Sequence, residues 1–377
     1  MEREVELLIE DIAFGGKGVG RVEGKAVFVP FTIAGERVTA RVVRQKKSFA
    51  EAELVEVLKG SPERASPPCP YFERCGGCAY QHVTYEHQLH WKSHQVGQAL
   101  RRVGKFREPP LRPIVPSPRE YEYRNRITIH VTDSVVGFFR HDTHRLIDVE
   151  RCPIAMPEVN DELAALRARR PRDGNYTLRA GRGPRIFSQT NEAVAAHLSD
   201  VIAELIPSSH TIVIDAYCGA GFFAKRLVAG GNDADVSGIK SRSGRARLQL
   251  VIGIDWDIHG IRVAQAEMSD RELYIAGDIA THLREQLLQR DPHLTSVILD
   301  PPAIGLSREV REILCAHPVA TLLYVSCNPP TLARDLADLA SVFQLQSVTP
   351  FDMFPQTAEI EALAHLKMGS TAKSKKN

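Results

Sequence analysis

The sequence has no long hydrophobic run. No window approaches the ~18–20 uninterrupted apolar residues of a membrane span, so a helical membrane protein is excluded and no membrane partner is expected. It also lacks an apolar core behind its first residues. Met1-Glu2-Arg3-Glu4 is charged at once, which predicts no export signal and a cytoplasmic location. The cysteines lack the even count of a disulfide framework. There are seven, a number that argues for metal binding or catalysis. Neither charge sign dominates, with 48 basic residues against 46 acidic. What is present is ordinary: 377 residues, 43% hydrophobic and 25% charged, are the composition of a globular protein with two or three domains. A wholly disordered chain and a collagen-like repeat are excluded on the same grounds.

The balance of charge hides an uneven distribution. Residues 1–60 carry ten of each sign, residues 61–185 carry 21 basic against 14 acidic, and residues 186–377 carry 17 against 22. A basic middle suggests a polyanion footprint, and an acidic C-terminal half suits a cationic ligand. The tail from Lys367 to Asn377 is polar and basic and is expected to be disordered.

Texture divides the chain in the same places. Residues 1–60 alternate polar and apolar positions (Val38/Ala40/Val42, Ala52/Leu54/Val57) between turns at Gly15-Gly16, Gly24 and Gly35, which predicts a small β-barrel able to hold nucleic acid. The proline-rich stretch SPERASPPCP at 61–70 marks a boundary, and residues 61–185 read as a mixed domain with a helix around His87–Val103. From 186 to 377, strand-like runs at 211–215, 250–255, 273–278, 296–300 and 321–326 alternate with helical segments. That is the pattern of a doubly wound α/β domain.

Four cysteines stand in a pattern. Cys69, Cys75 and Cys78 form C-x5-C-x2-C, with Gly76 and Gly77 letting the backbone wrap, and Cys152 precedes Pro153. Thiolates so spaced can converge on one soft ion or cluster. Residue types alone leave zinc slightly ahead of an iron–sulfur cluster.

The C-terminal half carries the candidate chemistry. DAYCGAGFF (215–223) ends an apolar strand and opens a helix, and Gly219 and Gly221 would let the backbone approach a ligand closely, as in an S-adenosylmethionine pocket. Asp255, ending the next strand, can accept ribose hydroxyls, with Asp257 as the alternative, and Asp278 can meet an adenine amino group. Asp215 and Asp255 are 40 positions apart, about double the usual ~20. Residues 231–249 are therefore read as mostly surface insertion. YVSCNPPTLARDL places Cys327 at a strand end before a helix, whose N-terminus is expected to stabilise a nucleophilic thiolate. Asp300 opens DPPAIGL at another strand end, and Glu361 lies in TAEIEALAHL. Cys218 and Cys315 read as inert small hydrophobes.

Over nearly its whole length the chain resembles the RNA uracil-5-methyltransferase family, in its iron–sulfur branch acting on 23S ribosomal RNA. The likeness rests on a TRAM-like barrel, C-x5-C-x2-C with a distant C-P, F-S-Q-x-N at 187–191, D-x-x-C-G-x-G, L-D-P-P, S-C-N-P and a terminal D-M-F-P-x-T…E. It implies a [4Fe–4S] cluster on Cys69, Cys75, Cys78 and Cys152. S-adenosylmethionine contacts are implied from Gln189, the Asp215 loop with Gly219 and Gly221, Asp255 and Asp278. Asp300 would bind the target uracil, Cys327 would be the nucleophile and Glu361 the base. The partner is RNA, with no obligate protein partner. Two positions depart from the family pattern: Ala303 stands where an arginine is usual after D-P-P, and Glu359 where a histidine often precedes the final glutamate. Methylation of transfer RNA is the nearest alternative. Amino-group methylation would want an aromatic residue where Ala303 stands, and a non-catalytic RNA-binding iron–sulfur protein would have no use for Cys327 and Glu361.

Overall fold

Period-two alternation builds the first body. In β1 (Arg3–Ile12) Val5, Leu7 and Ile9 are buried between outward residues, and a register shift between Ile9 and Asp11 turns Ile12 inward as well. With β2 (Gly18–Val22), β3 (Lys25–Val29), β4 (Arg37–Gln45) and β5 (Phe49–Lys59) it closes into a barrel in the order β1-β2-β3-β5-β4. The parallel pairing of β3 with β5 closes the ring and leaves no open edge. The computed structural model describes residues 3–141, 143–181, 189–230 and 248–369. Phe187 and Ser188, positions 231–247 of the expected insertion and the tail from 370 onward lie outside the described residues.

A long helix, α1 (Tyr85–Arg102), links the barrel to the rest. Its Val96, Ala99 and Leu100 enter the largest apolar core, alongside residues of the C-terminal sheet. A four-stranded sheet follows in the order β8-β7-β6-β9, from β6 (Arg126–Thr132), β7 (Val135–Phe139), β8 (Leu146–Asp148) and β9 (Gly174–Arg179), with α2 (Pro157–Ala168) packed against it.

The C-terminal body is a seven-stranded sheet between two helical layers. In chain order it comprises α3 (Glu192–Leu205), β10 (Ile212–Ala216), α4 (Phe222–Ala229), β11 (Leu250–Asp255), α5 (Ile258–Ala266), β12 (Glu272–Ala276), α6 (Ile279–Leu288), β13 (Thr295–Leu299), α7 (Arg308–Ala316), β14 (Thr321–Ser326), α8 (Pro329–Leu339), β15 (Phe343–Phe351) and β16 (Glu361–Met368). Strand order is β12-β11-β10-β13-β14-β16-β15. Every residue of β13 and β14 is buried, as strands covered on both faces must be. The order reverses between β10 and β13, the switch point where ligands bind in such sheets. Lys367 and Met368, expected in a disordered tail, instead continue β16 because pairing with β14 and β15 satisfies their backbone. Among the described residues, no helix is long and apolar enough to cross a membrane.

Candidate active site

The sheet's carboxyl edge gathers residues far apart in sequence. Parallel pairing of Ala216 with Leu299 sets Asp300 beside the turn that leaves β10. Antiparallel pairing of Ser326 with Ala362 sets Glu361, the first residue of β16, beside the end of β14, where Cys327 follows at once. Asn328 caps α8 by accepting from Thr331 N, with Pro329 at the first helical position. Gln189 Nε2 donates to Asp300 Oδ2 at 3.5 Å. Asn125, which the sequence reading did not single out, holds Gln189 by donating to its carbonyl at 3.0 Å.

These groups perturb one another. Burial, then Glu361, then Asp300 push the Cys327 thiol up to about 12. The expectation of a thiolate stabilised by the α8 N-terminus is corrected here. Burial and two carboxylates outweigh the partial charge of a helix end. Burial first, then Asp300 and Glu359, hold Glu361 well above the carboxylate range. Burial and the Asp255 charge bring Asp300 up to about 7. Burial and neighbouring carboxylates thus disfavour the charged forms of all three groups in the free site. Glu361 Oε1 is buried with no hydrogen-bond partner among the described residues, so the cleft has acceptor capacity to give.

The glycine turn after β10 adjoins these residues. Tyr217 takes a positive φ of 67°, a strain kept where surrounding structure fixes it. Gly219, at φ +55°, has open space where a Cβ would lie, as a cradle for a ligand requires. At Gly221, with φ +81°, a Cβ would lie 2.6 Å from the Tyr274 hydroxyl, so packing against Tyr274 also demands glycine there. Asp215 is fully buried beneath the turn; Oδ2 accepts from Ala224 N, Oδ1 has no partner among the described residues, and burial raises the carboxyl to about 8. Asp255 accepts from Gly219 N and Asp257 N, both at 2.8 Å, clasping two loops while each oxygen keeps a lone pair. Asp257 caps α5. Asp278 also serves as a cap, accepting from Thr281 N and Oγ1 at 2.8 Å, but its side chain stays exposed. Trp256, 73% exposed beside Asp255, is an apolar face able to stack on a purine, and nothing in its local sequence marked it. Asp255 and Asp278, each at a strand end beside the open glycine turn, are acceptors that fit a cationic adenosyl ligand.

The other four cysteines meet elsewhere. Cys69, Cys75, Cys78 and Cys152 line one cavity of about 410 Å³, with Arg124, Arg126, Arg151 and Arg179 also on its wall. Gly76 N donates to Phe139 O and pins the cysteine loop to the small sheet. Asn160 fixes the Cys152 turn, accepting from Cys152 N at 2.8 Å and donating to its carbonyl at 3.0 Å. Burial raises all four thiols, Cys152 to about 11. Among the described residues, no three His, Cys, Asp or Glu side chains stand close enough to hold a metal ion. Cys218 is buried and Cys315 partly exposed, and both thiols are free.

Comparison with known proteins agrees with this architecture. Residues 172–368 match the family described as tRNA (Uracil-5-)-methyltransferase, and residues 2–55 match the TRAM domain. A relative from Bdellovibrio bacteriovorus, named an uncharacterized RNA methyltransferase, is 31% identical, with 97% of this chain and 96% of the relative aligned. Another of that name from Aquifex aeolicus is 27% identical over 97% of this chain and 99% of its own. The crystal structure of Pyrococcus abyssi tRNA (uracil-54, C5)-methyltransferase in complex with S-adenosyl-L-homocysteine superposes with a TM-score of 0.70 at 21% identity, covering 96% of this chain and all of that one. At that identity the likeness is one of fold.

Proposed function

The chain belongs to the tRNA (Uracil-5-)-methyltransferase family, and from that premise we propose that it methylates C5 of a uridine in 23S ribosomal RNA through a covalent bond between Cys327 and uracil C6. The observation that carries the reading is the meeting of Cys327, Asp300 and Glu361 at one sheet edge beside the glycine turn. C5 of uracil is a poor nucleophile until C6 is attacked. Asp300 orients the ring through its polar edge. Cys327 Sγ bonds to C6 as its proton passes to a neighbouring carboxylate. The C5=C6 electron pair moves onto C5 and O4, and C5 takes the methyl group. Glu361, once ionised, removes the C5 proton; the pair restores C5=C6 and expels the sulfur. S-adenosylmethionine, when bound, supplies the methyl group and a positive charge. The residues that would hold it are Gln189, the Asp215–Gly221 turn, Asp255 and Asp278.

For the cysteine cavity we propose a [4Fe–4S] cluster on Cys69, Cys75, Cys78 and Cys152. The four thiols share one cavity, and arginines on its wall suit an anionic group. The cluster serves as a clip on the fold, and no catalytic step passes through it. The barrel and the basic middle segment would hold flanking RNA. A transfer RNA uridine is the second reading, favoured by the family's description and by the substrate of the Pyrococcus enzyme.

The test is methyl transfer to purified ribosomal and transfer RNA, with the product mapped by mass spectrometry. Glu361→Gln is expected to accumulate a protein–RNA adduct stable in denaturing gels, and Cys327→Ala to form none and lose at least ~10³-fold in rate. A Cys327→Ala protein that still makes 5-methyluridine overturns the mechanism. Product confined to transfer RNA overturns the ribosomal assignment alone.

A further inference from the structure

The loop after Asp300 carries the most exposed large hydrophobic side chain among the described residues, Ile304 at 76%. A lone exposed isoleucine is commonplace on a protein surface. This one stands on a backbone that is fixed from below. Thr331 Oγ1 donates to Ala303 O and Arg334 Nη2 to Ile304 O, each at 3.0 Å. Gly305 N donates to Pro302 O at 2.8 Å, and Leu306 N to Asp335 Oδ2 at 2.8 Å. Gly305 sits at φ +79°, where a Cβ would lie 2.5 Å from Asp335 Oδ2, so the loop lies flush on α8. Asp335 is itself fully buried and accepts from the Tyr324 hydroxyl at 2.7 Å and from Arg311 at 3.1 Å. The fold thus braces an arm whose tip is largely exposed, four residues from Asp300 and anchored on the helix that starts just after Cys327.

A cation at this point would clamp a phosphate. Ala303-Ile304 has no charge to offer, and the Arg334 guanidinium is engaged with Asp335 and the Ile304 carbonyl. An apolar tip on a rigid base suits the faces of bases. Resting on the uridine reading above, we propose that Ile304 is a wedge: as the target uridine leaves its stack for the cleft, this side chain enters the gap and keeps the neighbouring bases apart. Unstacking carries a free-energy cost that an inserted apolar side chain offsets, and a rigid backbone lets it do so without first becoming ordered.

The test compares two RNA hairpins: one carrying the mapped target uridine in its natural context, and one with abasic nucleotides on both sides of it. A 2-aminopurine beside the uridine in the first hairpin reports unstacking by fluorescence. Ile304→Ala is expected to lose roughly tenfold more kcat/KM on the intact hairpin than on the abasic-flanked one, and to lose the fluorescence rise on binding. Ile304→Met is expected to recover most of both. Equal loss on the two hairpins, or a fluorescence rise as large as the wild type's, overturns the wedge while leaving the methylation reading intact. A wild-type protein that methylates neither RNA overturns the reading beneath it.

Discussion

Two hollows in this molecule are built from similar parts and charged in opposite senses. The cysteine cavity and the cleft at the sheet edge both contain thiols that burial holds protonated in the free protein. Arginines line the first, and carboxylates the second. A thiol's use is therefore set by its neighbours. Arginines beside a thiol favour its anionic form and offset the charge that four thiolates would carry. Carboxylates beside a thiol disfavour its anionic form. The two hollows are also mechanically joined. Ala79 and Tyr80, directly after Cys78, donate through their N–H groups to Gln356 O in the loop that leads to Glu361. Lys92 of α1 reaches Asp352 of the same loop at 2.6 Å, both side chains fully buried.

The largest effect should come from breaking the first hollow. Cys152→Ser is expected to abolish iron retention, measured by metal analysis, and to cost on the order of several kcal/mol of stability. Cys315→Ser should leave both unchanged. Full iron content in Cys152→Ser removes that residue from the ligand set. Next comes the link. Lys92→Met leaves Asp352 buried and unpaired, and urea unfolding should register a loss of about 3–5 kcal/mol. Pairing it with Asp352→Leu should recover much of that, since the cost lies in the uncompensated charge. A single variant as stable as wild type would mean that water or another cation compensates Asp352.

The smallest effect tests the cleft's acidity. Asp215 and Asp300 have folded-state values near 8 and 7, above those of an unfolded chain, so the folded protein binds more protons than the unfolded one across that range. Their contribution is full below pH ~4 and is lost as pH rises towards 8. Burial depresses His82 and His365 to about 4, which acts in the opposite sense below pH ~6.5. The difference between variants therefore carries the test. Asp215→Asn should reduce the fall in Tm between pH 6.5 and 8.5 by ~5 °C. An unchanged slope in calorimetry would mean Asp215 is ionised throughout.

Much of the frame was legible in the sequence because it rests on local periodicity. β11 and β14 begin and end where their apolar runs do, and the alternating residues of the first 60 positions close a barrel. The small sheet was harder to read: β8 is three residues long, and β9 gains its order from pairing with β6. Asp335, a polar residue of α8, owes its burial to Tyr324, Arg311 and the 300–306 loop, which only the fold brings around it.

The amino-acid order alone determined which groups are available: a cysteine shortly before two prolines, a glycine turn, carboxylates at strand ends and four patterned cysteines. Only the tertiary structure decided which of them meet and in what protonation state. Cys327 and Glu361 are 34 positions apart in sequence, and they adjoin because β16 runs antiparallel between β14 and β15. Their raised pKa values arise from burial and from neighbouring carboxylates, Glu361 and Asp300 for the thiol and Asp300 and Glu359 for the carboxyl, and these are properties of the folded surroundings that neither local stretch contains.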